Sequence, residues 1–414
     1  MEVKKQINRR RNIWVVNQYA VPTSLPGITR HFELFNEILK TSNVDVTFWL
    51  SSFNYSLRRF LSETKKREIE KENPGIKLRW GWAFPHQKNN WRRIVNMLSF
   101  AIGFFFKSFF SKKPDVILAS SPQIFVAFSA LMISKMFKVR FVLEVRDLWP
   151  ESLVVMKGNS DGIILNILYK LEKALYRGAS HIVVLAEHQR KHIVDKGINP
   201  RYITLIPNGI IVNEFMRPTR EEITERKEKL GLPSDSFVAI YTGAHGTANS
   251  LDQLVFAGQY LAKDEYIVLI GDGPEKDRLV ALKGSKGIDQ VLFFDPLPKT
   301  EILKYTAIAD CGIISLSDNI VFRGARPNKL FDYMALGIPI ISTIGGEVEH
   351  ILETNNVGKC VQSNNYQMLA NAIQEVRLLS KERKEEIKNN GWSYILSEGN
   401  RTEAARKLAE IINS

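Results

Sequence analysis

The sequence predicts an α/β protein built from two consecutive domains, each with a parallel sheet. Short apolar runs alternate with helical patterns along the chain, which is typical of parallel sheets covered by helices. The alternation restarts after the turn Pro207-Asn208-Gly209. A chain of 414 residues also exceeds the size at which single cores stop growing, about 250–300 residues. We therefore predict domains over residues 1–206 and 207–380, and a helical tail over 381–414 that packs back on the first domain.

The first half contains five apolar runs that predict strands. A loop from Pro22 to Gly27 leads into an amphipathic helix, Thr29–Leu39, and Ser56–Glu72 has the pattern of a polar helix with solvated charges. Helical patterns also separate the later strands. The predicted strands are Ile13–Gln18, Val44–Leu50, Val116–Ala119, Val139–Val145 and Ile182–Leu185.

The second half repeats this alternation. Its C-terminal segment, Lys381–Ser414, is helical in pattern and polar, apart from the aromatic side chain of Trp392. The predicted strands are Phe237–Tyr241, Tyr266–Ile270, Val291–Phe294, Cys311–Leu316, Ile338–Ser342 and Lys359–Val361.

The excess of positive charge is confined to the first quarter of the chain. Residues 1–113 contain 21 Lys and Arg against 8 Asp and Glu, whereas the remaining residues contain 36 of each. An uncharged, aromatic run of 13 residues over 94–106 lies between basic residues, and it is too short to span a bilayer. Such a segment suits an anionic lipid surface, and the alternative is a buried helix with basic ends. The candidate membrane or acceptor residues are Trp91, Arg92, Arg93, Phe104, Phe105 and Phe106.

Other bulk features suggest a cytoplasmic enzyme. Cys311 and Cys360 lie in apolar surroundings and resemble core residues of a reducing compartment. The polar N-terminus, through Arg11, lacks the apolar stretch of a secretory leader. Nucleic acid is another partner for a basic region, but no recognition motif supports it. We predict no nucleic-acid partner and a cytoplasmic location, peripheral to the inner membrane.

The segment over residues 326–339 is the most informative part of the chain. Arg326, Asn328, Lys329 and Asp332 stand at the start of a predicted helix whose buried face includes Leu330. Free N–H groups and the helix dipole at such a position favour an anionic ligand, above all phosphate. The cations would add charge, and the carboxylate would accept hydrogen bonds from ribose hydroxyls. The alternative is a capped core helix with solvated charges.

Three loops should meet this segment, because ligands bind at the carboxyl ends of strands in open α/β sheets. Gly243, His245 and Gly246 follow the first strand of the second half, and Gly273 follows the next. Glycine lets the backbone approach a ligand closely. Leu297 lies in a third loop, which could present backbone groups to a planar base. Each loop taken alone is more often a simple turn.

Asp147 is the candidate reacting group of the first half. It follows the strand Val139–Val145 directly. The alternative is an N-cap for a helix that begins near Pro150, a role that aspartate fills well. Glu144 and Arg146 precede Asp147 in the chain and could form a buried pair.

Several other catalytic patterns are missing from the sequence. It has no Asp-x-Asp pair, no His, Cys and carboxylate set at metal spacing and no serine-hydrolase elbow. His188 and His192 lie four residues apart, but without the intervening glutamate of a zinc helix we expect a solvated face. We therefore predict no metal site and no cofactor.

The chain resembles a retaining glycosyltransferase of the GT-B fold, glycosyltransferase family four. The resemblance rests on Gly271-Asp272-Gly273-Pro274, on the segment 326–339 and on the linker Pro207-Asn208-Gly209. The motif Asp147-Leu148-Trp149-Pro150-Glu151-Ser152 is similar to the WbuB-like bacterial branch that builds O-antigen and capsule. This likeness implies two Rossmann-like domains that face a cleft, and a nucleotide-sugar, UDP-linked, bound mainly by the second. It also implies a lipid-linked acceptor and no metal requirement.

The resemblance also assigns roles to residues. Gly243 and Gly246 would face the diphosphate, the region of Leu297 the base, Lys329 a phosphate and Asp332 the ribose; Gly27 would join them from the first domain. The family's paired glutamates, eight residues apart, are replaced here by Gly324 and Asp332, and the usual catalytic-side histidine is missing near Asp147.

The predicted function is therefore transfer of a sugar to a polyprenyl-diphosphate-linked acceptor of bacterial surface polysaccharide. The sugar would be an N-acetylated deoxyhexosamine or a similar hexose. Asp147 and Lys329 are the predicted catalytic residues. One alternative is a nucleotide-sugar epimerase of the same two-domain fold. The other is a non-enzymatic, two-lobed sugar- or anion-binding protein.

Overall fold

The computed structural model describes residues 10–86, 91–157 and 162–414. Residues 1–9, on which the prediction of a missing leader depends, lie outside this part. The chain divides into two compact units. The first combines the residues up to Pro22 with Gly27–Ile206 and Thr402–Ser414, and the second combines Thr23–Pro26 with Pro207–Arg401.

The first unit contains a seven-stranded parallel sheet with the strand order β5-β2-β1-β6-β7-β8-β9. A short antiparallel hairpin, β3-β4, lies beside it in sequence. The elements are β1 (Arg11–Val16), α1 (Arg30–Thr41), β2 (Val44–Ser51), β3 (Phe53–Asn54), β4 (Arg59–Phe60), α2 (Glu63–Glu72), β5 (Ile76–Gly81), α3 (Trp91–Ser108), β6 (Val116–Ser120), α4 (Ile124–Phe137), β7 (Arg140–Val145), α5 (Glu151–Lys157), α6 (Ile163–Gly178), β8 (His181–Val184), α7 (Glu187–Asp195) and β9 (Ile203–Leu205).

The second unit contains a six-stranded parallel sheet with the strand order β12-β11-β10-β13-β14-β15. Its elements are α8 (Arg220–Lys229), β10 (Phe237–Thr242), α9 (Asp252–Ala257), β11 (Glu265–Ile270), α10 (Lys276–Ser285), β12 (Val291–Phe294), α11 (Lys299–Thr306), β13 (Cys311–Ile314), α12 (Asn328–Leu336), β14 (Ile340–Ser342), α13 (Glu347–Thr354), β15 (Gly358–Cys360), α14 (Tyr366–Arg377) and α15 (Lys381–Ser397). The last helix, α16 (Arg401–Asn413), belongs to the first unit from Thr402 onward.

Apolar strands form the centre of both units. Every residue of β6 and β10 is buried, as expected for parallel strands covered by helices on both faces. In the second unit, α12 is buried from Leu330 to Leu336, and Gly337 ends it in the left-handed conformation with φ = 74°. The helix predicted in the segment 326–339, with Leu330 on its buried face, is therefore confirmed, and a glycine ends it in the usual way.

The predicted α/β class with two parallel sheets is confirmed. One local prediction was wrong. Residues 56–72 are not one helix, because β4 precedes a helix that begins at Glu63. The tail over 381–414 is helical, as predicted, and forms two helices, α15 and α16, of which residues from Thr402 onward belong to the first unit.

Within the described residues, no helix combines the length and the apolar character needed to cross a membrane.

Candidate active site

The predicted ligand loops lie at one edge of the second sheet. They follow β10, β11, β12 and β13, which are neighbours in that sheet and run parallel. The loops therefore emerge from the same edge, where α/β folds bind their ligands. The start of α12, with Asn328 exposed, lies in this set because α12 follows β13.

The ammonium of Lys329 is the central feature of this edge. Its Nζ lies 3.5 Å from the centroid of the Tyr241 ring. It is also 3.3 Å from where a Cβ on Gly243 would stand. Among the described residues, Lys329 has no ion pair. Desolvation lowers the pKa of Lys329 to about 7, although the negative charge of Asp332 acts in the opposite direction. The structure thus holds a poorly compensated cation beside the exposed backbone of Gly243.

Asp332 has a cationic partner of its own. Its Oδ1 lies 2.5 Å from the Nζ of Lys299, at the start of α11. The carboxylate of Asp332 is largely buried, and only Oδ1 accepts this bond. A ribose hydroxyl that binds Asp332 would have to use the other oxygen or share the first with Lys299.

The glycines of the loops serve packing as much as ligand approach. A Cβ on Gly271 would stand 1.8 Å from the carbonyl oxygen of Gly243, and one on Gly273 would stand 2.3 Å from that of His245. The loops after β10 and β11 therefore pack backbone against backbone. Gly243 has φ = 143° and is exposed, so it remains a candidate for ligand contact. A Cβ on Gly246 would meet only ordinary contact.

His245 does not present its ring to solvent. The residue is fully buried between the rings of Tyr241 and Phe293. Neither ring nitrogen has a hydrogen-bond partner among the described residues. Desolvation and the charge of Lys276 lower the pKa of His245 to about 4, so the ring is neutral at physiological pH. Its backbone joins the two loops, because His245 N–H donates to the carbonyl of Asp272.

Two leucines that were predicted to bind the nucleotide sugar, Leu330 and Leu297, pack in or against the core of the second unit. Leu330 is fully buried in the core of the second unit. A helix turns by about 100° per residue, which carries the side chain of Leu330 to the core face. Nucleotide-sugar binding by Leu330 stays a prediction, and it would have to use the backbone. Leu297 is partly buried after β12 and packs against that core.

Arg326 is paired with a residue that sequence reasoning did not single out. Its Nε and Nη2 lie 2.7 and 2.5 Å from Oε1 of Glu347, the first residue of α13. Its carbonyl accepts a hydrogen bond of 3.3 Å from Asn208. A Gly-Gly pair directly before a glutamate, after the strand Ile340–Ser342, is the sequence signal that could have indicated this residue.

In the first unit, Asp147 lies just after β7 and is exposed. Desolvation by the surrounding protein raises its pKa, and the charges of Arg146 and Arg93 oppose that shift. Its carboxylate accepts no hydrogen bond among the described residues, and α5 begins four residues later, at Glu151. This geometry gives no support to the alternative of a helix cap. Asp147 also lines a small pocket with Ser121 and other residues.

A buried charge cluster lies near the end of the same strand. Glu144 receives a hydrogen bond of 2.8 Å from Arg30 and lies 2.9 Å from Nε2 of His31. Ser120 donates to its other oxygen at 2.9 Å. Burial opposes ionisation of Glu144, but the charges of His31 and Arg30 outweigh it and hold its pKa well below the usual range. The hydrogen-bonded partners of Glu144 are therefore on other elements, whereas Arg146 acts on Glu144 through its charge.

Gly27 lies at the end of the loop that leads into α1, and its φ of 141° favours glycine. A Cβ at this position would stand 2.9 Å from Cγ2 of Val21. The structure thus explains this glycine by its close packing against Val21.

A second cluster corrects the interpretation of His192 as part of a solvated face. His192 Nε2 lies 3.2 Å from Glu151 and 3.7 Å from Glu172, and Lys196 lies within 2.7 Å of both carboxylates. Burial is outweighed by hydrogen bonds, which raise the pKa of His192 to about 9 and lower that of Glu151 to about 2. These carboxylates and the imidazole lie close enough to hold a metal ion. Because Lys196 already supplies the cation, the arrangement is a salt-bridge cluster.

The aromatic helix α3 has one exposed face. Phe104, 2 % exposed, packs in the core against Trp14 and Trp49, so its predicted membrane role was wrong. Phe105 is half-buried, and Arg93 turns inward over the ring of Tyr55. The exposed apolar residues recur every four positions or close to it, which places them on one side of a helix. They are Trp91, Ile94, Leu98, Ile102 and Phe106; Arg92 is exposed beside them, and Phe110 is exposed just beyond the end of the helix. We call this set the α3 face.

Two family models match the chain in succession. Residues 27–209 match the glycosyl transferase 4-like domain, and residues 222–393 match glycosyl transferases group 1. WcaI of Escherichia coli K12, which is named as a colanic acid biosynthesis glycosyl transferase, is 24% identical over 349 residues. That match covers 80% of this chain and 82% of WcaI. TuaC of Bacillus subtilis, named as a teichuronic acid biosynthesis glycosyltransferase, is 27% identical over 199 residues, 47% of this chain and 46% of TuaC.

Solved structures show the same fold. HepE from Anabaena, solved in complex with UDP and glucose, superposes with a TM-score of 0.74 at 14% identity, covering 98% of this chain and 100% of HepE. WaaG, a glycosyltransferase involved in lipopolysaccharide biosynthesis, gives a TM-score of 0.66 at 14% identity, with 97% and 100% covered. The chain is therefore a glycosyltransferase of the GT-B fold, with a glycosyl transferase 4-like domain followed by a glycosyl transferases group 1 domain.

Proposed function

We propose that this enzyme transfers a sugar from a UDP-linked donor to a polyprenyl-diphosphate-linked acceptor during synthesis of a bacterial surface polysaccharide. The named roles of WcaI and TuaC support the polysaccharide, and the UDP complex of HepE supports the nucleotide. The sugar in this proposal is an N-acetylated deoxyhexosamine or a similar hexose. The anomeric configuration is retained, as the resemblance to family four implies.

The observation that carries the proposal is the ammonium of Lys329. A desolvated cation without an ion-pair partner among the described residues is costly, unless a ligand supplies the opposite charge. A diphosphate at the exposed backbone of Gly243 would supply it. Lys329 would then stabilise the negative charge that develops on the leaving diphosphate, which is the usual way to accelerate such a transfer.

The acceptor side of the proposal rests on Asp147. As sugar transfer proceeds, the bond from C1 to the diphosphate oxygen breaks and a bond from C1 to the acceptor oxygen forms. The acceptor hydroxyl must then lose its proton. The exposed carboxylate of Asp147, which has no hydrogen-bond partner among the described residues, can accept that proton or hold the hydroxyl in place.

The proposal places the enzyme on the cytoplasmic face of the inner membrane, where its lipid-linked acceptor is presented. The α3 face supports this placement, because it exposes large apolar side chains next to basic residues. Metal independence is part of the same proposal. It rests on the missing Asp-x-Asp pair.

Product analysis tests the proposed function against its rivals. The protein is incubated with a radiolabelled UDP-sugar panel and polyprenyl-diphosphate glycans, followed by lipid extraction. We expect label in the lipid fraction, and we expect Lys329→Met to abolish most of it while Lys304→Met, on the exposed surface of α11, does not. Label in an isomeric UDP-sugar would indicate an epimerase instead. Tight binding without any product would indicate a binding protein.

A further inference from the structure

The donor-sugar side of the site lacks an expected side chain. The position eight residues before Asp332 is Gly324, so no carboxylate can come from there. Gly324 is buried at the end of a short helical turn, Phe322–Gly324. A side chain of the second unit that recognises sugar hydroxyls must therefore stand on another of its elements. This question rests on the proposed function, because it presumes a nucleotide-sugar donor.

The strand order indicates where the sugar would lie. The loop of Leu297, assigned to the base, follows β12, whereas Gly243 and the ammonium of Lys329 mark the diphosphate above β10. Neighbouring strands lie about 4.8 Å apart, so base and diphosphate sites are about 10 Å apart along the sheet edge. A donor that runs from β12 to β10 continues toward β13 and β14. The sugar therefore points to the loop that follows β14.

Glu347 is the charged residue at that place. It begins α13, directly after the loop that leaves β14. Both nitrogens of Arg326 that reach it bind the same oxygen, Oε1. Among the described residues, its Oε2 has no hydrogen-bond partner. The side chain of Glu347 is 18% exposed, so a ligand can reach it, and Arg326 holds it in a fixed orientation.

Two neighbouring groups also have unused hydrogen-bonding capacity. The hydroxyl of Tyr394 and Nη1 of Arg326 are buried and have no partner among the described residues. The residue Tyr394 is 8% exposed, and the charges of Arg326, Glu398 and Glu347 act on its hydroxyl. Buried polar groups in folded proteins are nearly always hydrogen-bonded. A polyhydroxylated ligand would satisfy these groups together.

The nearby Glu349 has a different role. Its carboxylate accepts a hydrogen bond of 3.2 Å from the backbone N–H of Gly346, the residue before α13. This bond caps the helix. Glu349 is therefore engaged by the backbone, whereas one oxygen of Glu347 remains available.

We propose that Glu347, oriented by Arg326 and assisted by Tyr394, binds the hydroxyls of the donor sugar in place of the side chain missing at Gly324. Glu347 determines which sugar is bound, whereas other residues of the site bind the nucleotide. Arg326 then acts on the sugar side of the donor, through Glu347, more than on the diphosphate. The ligand class is a hexose or aminohexose with adjacent free hydroxyls.

The test compares binding of UDP and of UDP-sugars by calorimetry, using UDP-glucose, UDP-galactose and UDP-N-acetylglucosamine. For the best wild-type donor, Glu347→Gln should raise the ratio of Kd for the UDP-sugar to Kd for UDP by about 10- to 100-fold, the effect of a charged hydrogen bond. Tyr394→Phe should raise it less. Glu347→Asp should fall between Glu347→Gln and wild type. The matched control is Glu353→Gln, which removes an exposed charge from the same helix.

The outcomes distinguish failure of the proposed role of Glu347 from failure of the proposed function. An unchanged ratio in Glu347→Gln, with UDP still bound, would overturn the role of Glu347 alone. Equal weakening of UDP and UDP-sugar binding in Glu347→Gln, or such weakening together with a lowered melting temperature, would show that the Arg326–Glu347 pair is structural. This outcome would also overturn the proposed role of Glu347. If wild type bound neither UDP nor any UDP-sugar, the proposed function itself would be wrong, and the role of Glu347 would fail with it.

Discussion

Replacing Lys329 with methionine should weaken the binding of nucleotide sugars and leave the binding of uridine nearly unchanged. Methionine keeps an unbranched chain against the Tyr241 ring and removes only the ammonium, which lies 3.5 Å from the ring centroid. A hydrogen bond to a charged group contributes about 1.5–3 kcal/mol. This corresponds to a rise of about 10- to 150-fold in Kd.

The same residue predicts how donor affinity changes with pH. Desolvation lowers the pKa of Lys329 to about 7 in the free protein, so above pH 7 the side chain is mostly neutral. Binding of a diphosphate favours the charged form and must take up a proton. If only the charged form binds well, Kd should rise by about tenfold for each pH unit above 7. Lys329→Met should show a flat profile.

Calorimetry at pH 6.5, 7.5 and 8.5 measures both effects. A UDP-sugar is the appropriate ligand, because its diphosphate is esterified at both ends, whereas the terminal phosphate of UDP titrates near pH 6. Lys304→Met controls for the loss of one exposed charge. The reasoning would be refuted if Lys329→Met weakened uridine and UDP-sugar equally, or if the pH dependence persisted in that variant.

The remaining predictions concern the acceptor side, metals, stability and the membrane. Asp147→Asn should slow transfer by at least about 100-fold with donor affinity unchanged; nearly full activity would remove Asp147 from the mechanism. Transfer should survive a chelator, and loss with rescue by Mg²⁺ would contradict this. The folded state raises the pKa of His192 to about 9, from about 6.5 in the unfolded chain. Protonated His192 therefore contributes its full stabilisation below pH 6.5, and this contribution disappears as pH rises through 9. In urea unfolding, His192→Gln should therefore cost at most about 3 kcal/mol at pH 6 and little above pH 9; a cost independent of pH would argue against the charge. The double variant Ile102→Ser, Phe106→Ser should no longer bind anionic vesicles but should keep its stability, whereas Phe104→Ser should unfold the first unit. Unchanged vesicle binding by the double variant would show that the α3 face is not the membrane-binding surface.

The fold was predictable because buried parallel strands are continuous apolar runs. The run at 237–241 needed no other signal, since every residue of β10 is buried. By contrast, β5 was missed. Its Ile76 and Leu78 are buried while Lys77 and Arg79 are exposed, so this edge strand alternates in polarity and does not form an apolar run.

The aromatic helix shows a limit of reasoning from composition. Three consecutive phenylalanines, Phe104, Phe105 and Phe106, point about 100° apart on a helix, so they cannot all face a membrane. The exposed fraction runs from 2% at Phe104 to 62% at Phe106. The sequence identified the segment correctly as unusual, but only packing against the sheet decided which side faces outward.

Ion pairs between distant residues were not predictable at all. Lys299 and Asp332 are 33 residues apart, Arg326 and Glu347 are 21 apart, and Arg30 and Glu144 are 114 apart. No local pattern joins such residues, because their contact depends on which strands are neighbours. The cations and carboxylates of the second unit were therefore predicted as residue types, but their partners were not.

Those pairings explain why one cation of the second unit differs from the others. Asp332 and Glu347 are two carboxylates near the sheet edge, and each has its own cation, Lys299 and Arg326. In sequence, Lys329 lies within the span of each pair. Among the described residues, however, no carboxylate lies within salt-bridge distance of it. Moving a charge out of water without a partner destabilises a fold, so a free Lys329 is expected where a ligand completes the site. In the absence of ligand, Lys329→Met should therefore raise the melting temperature.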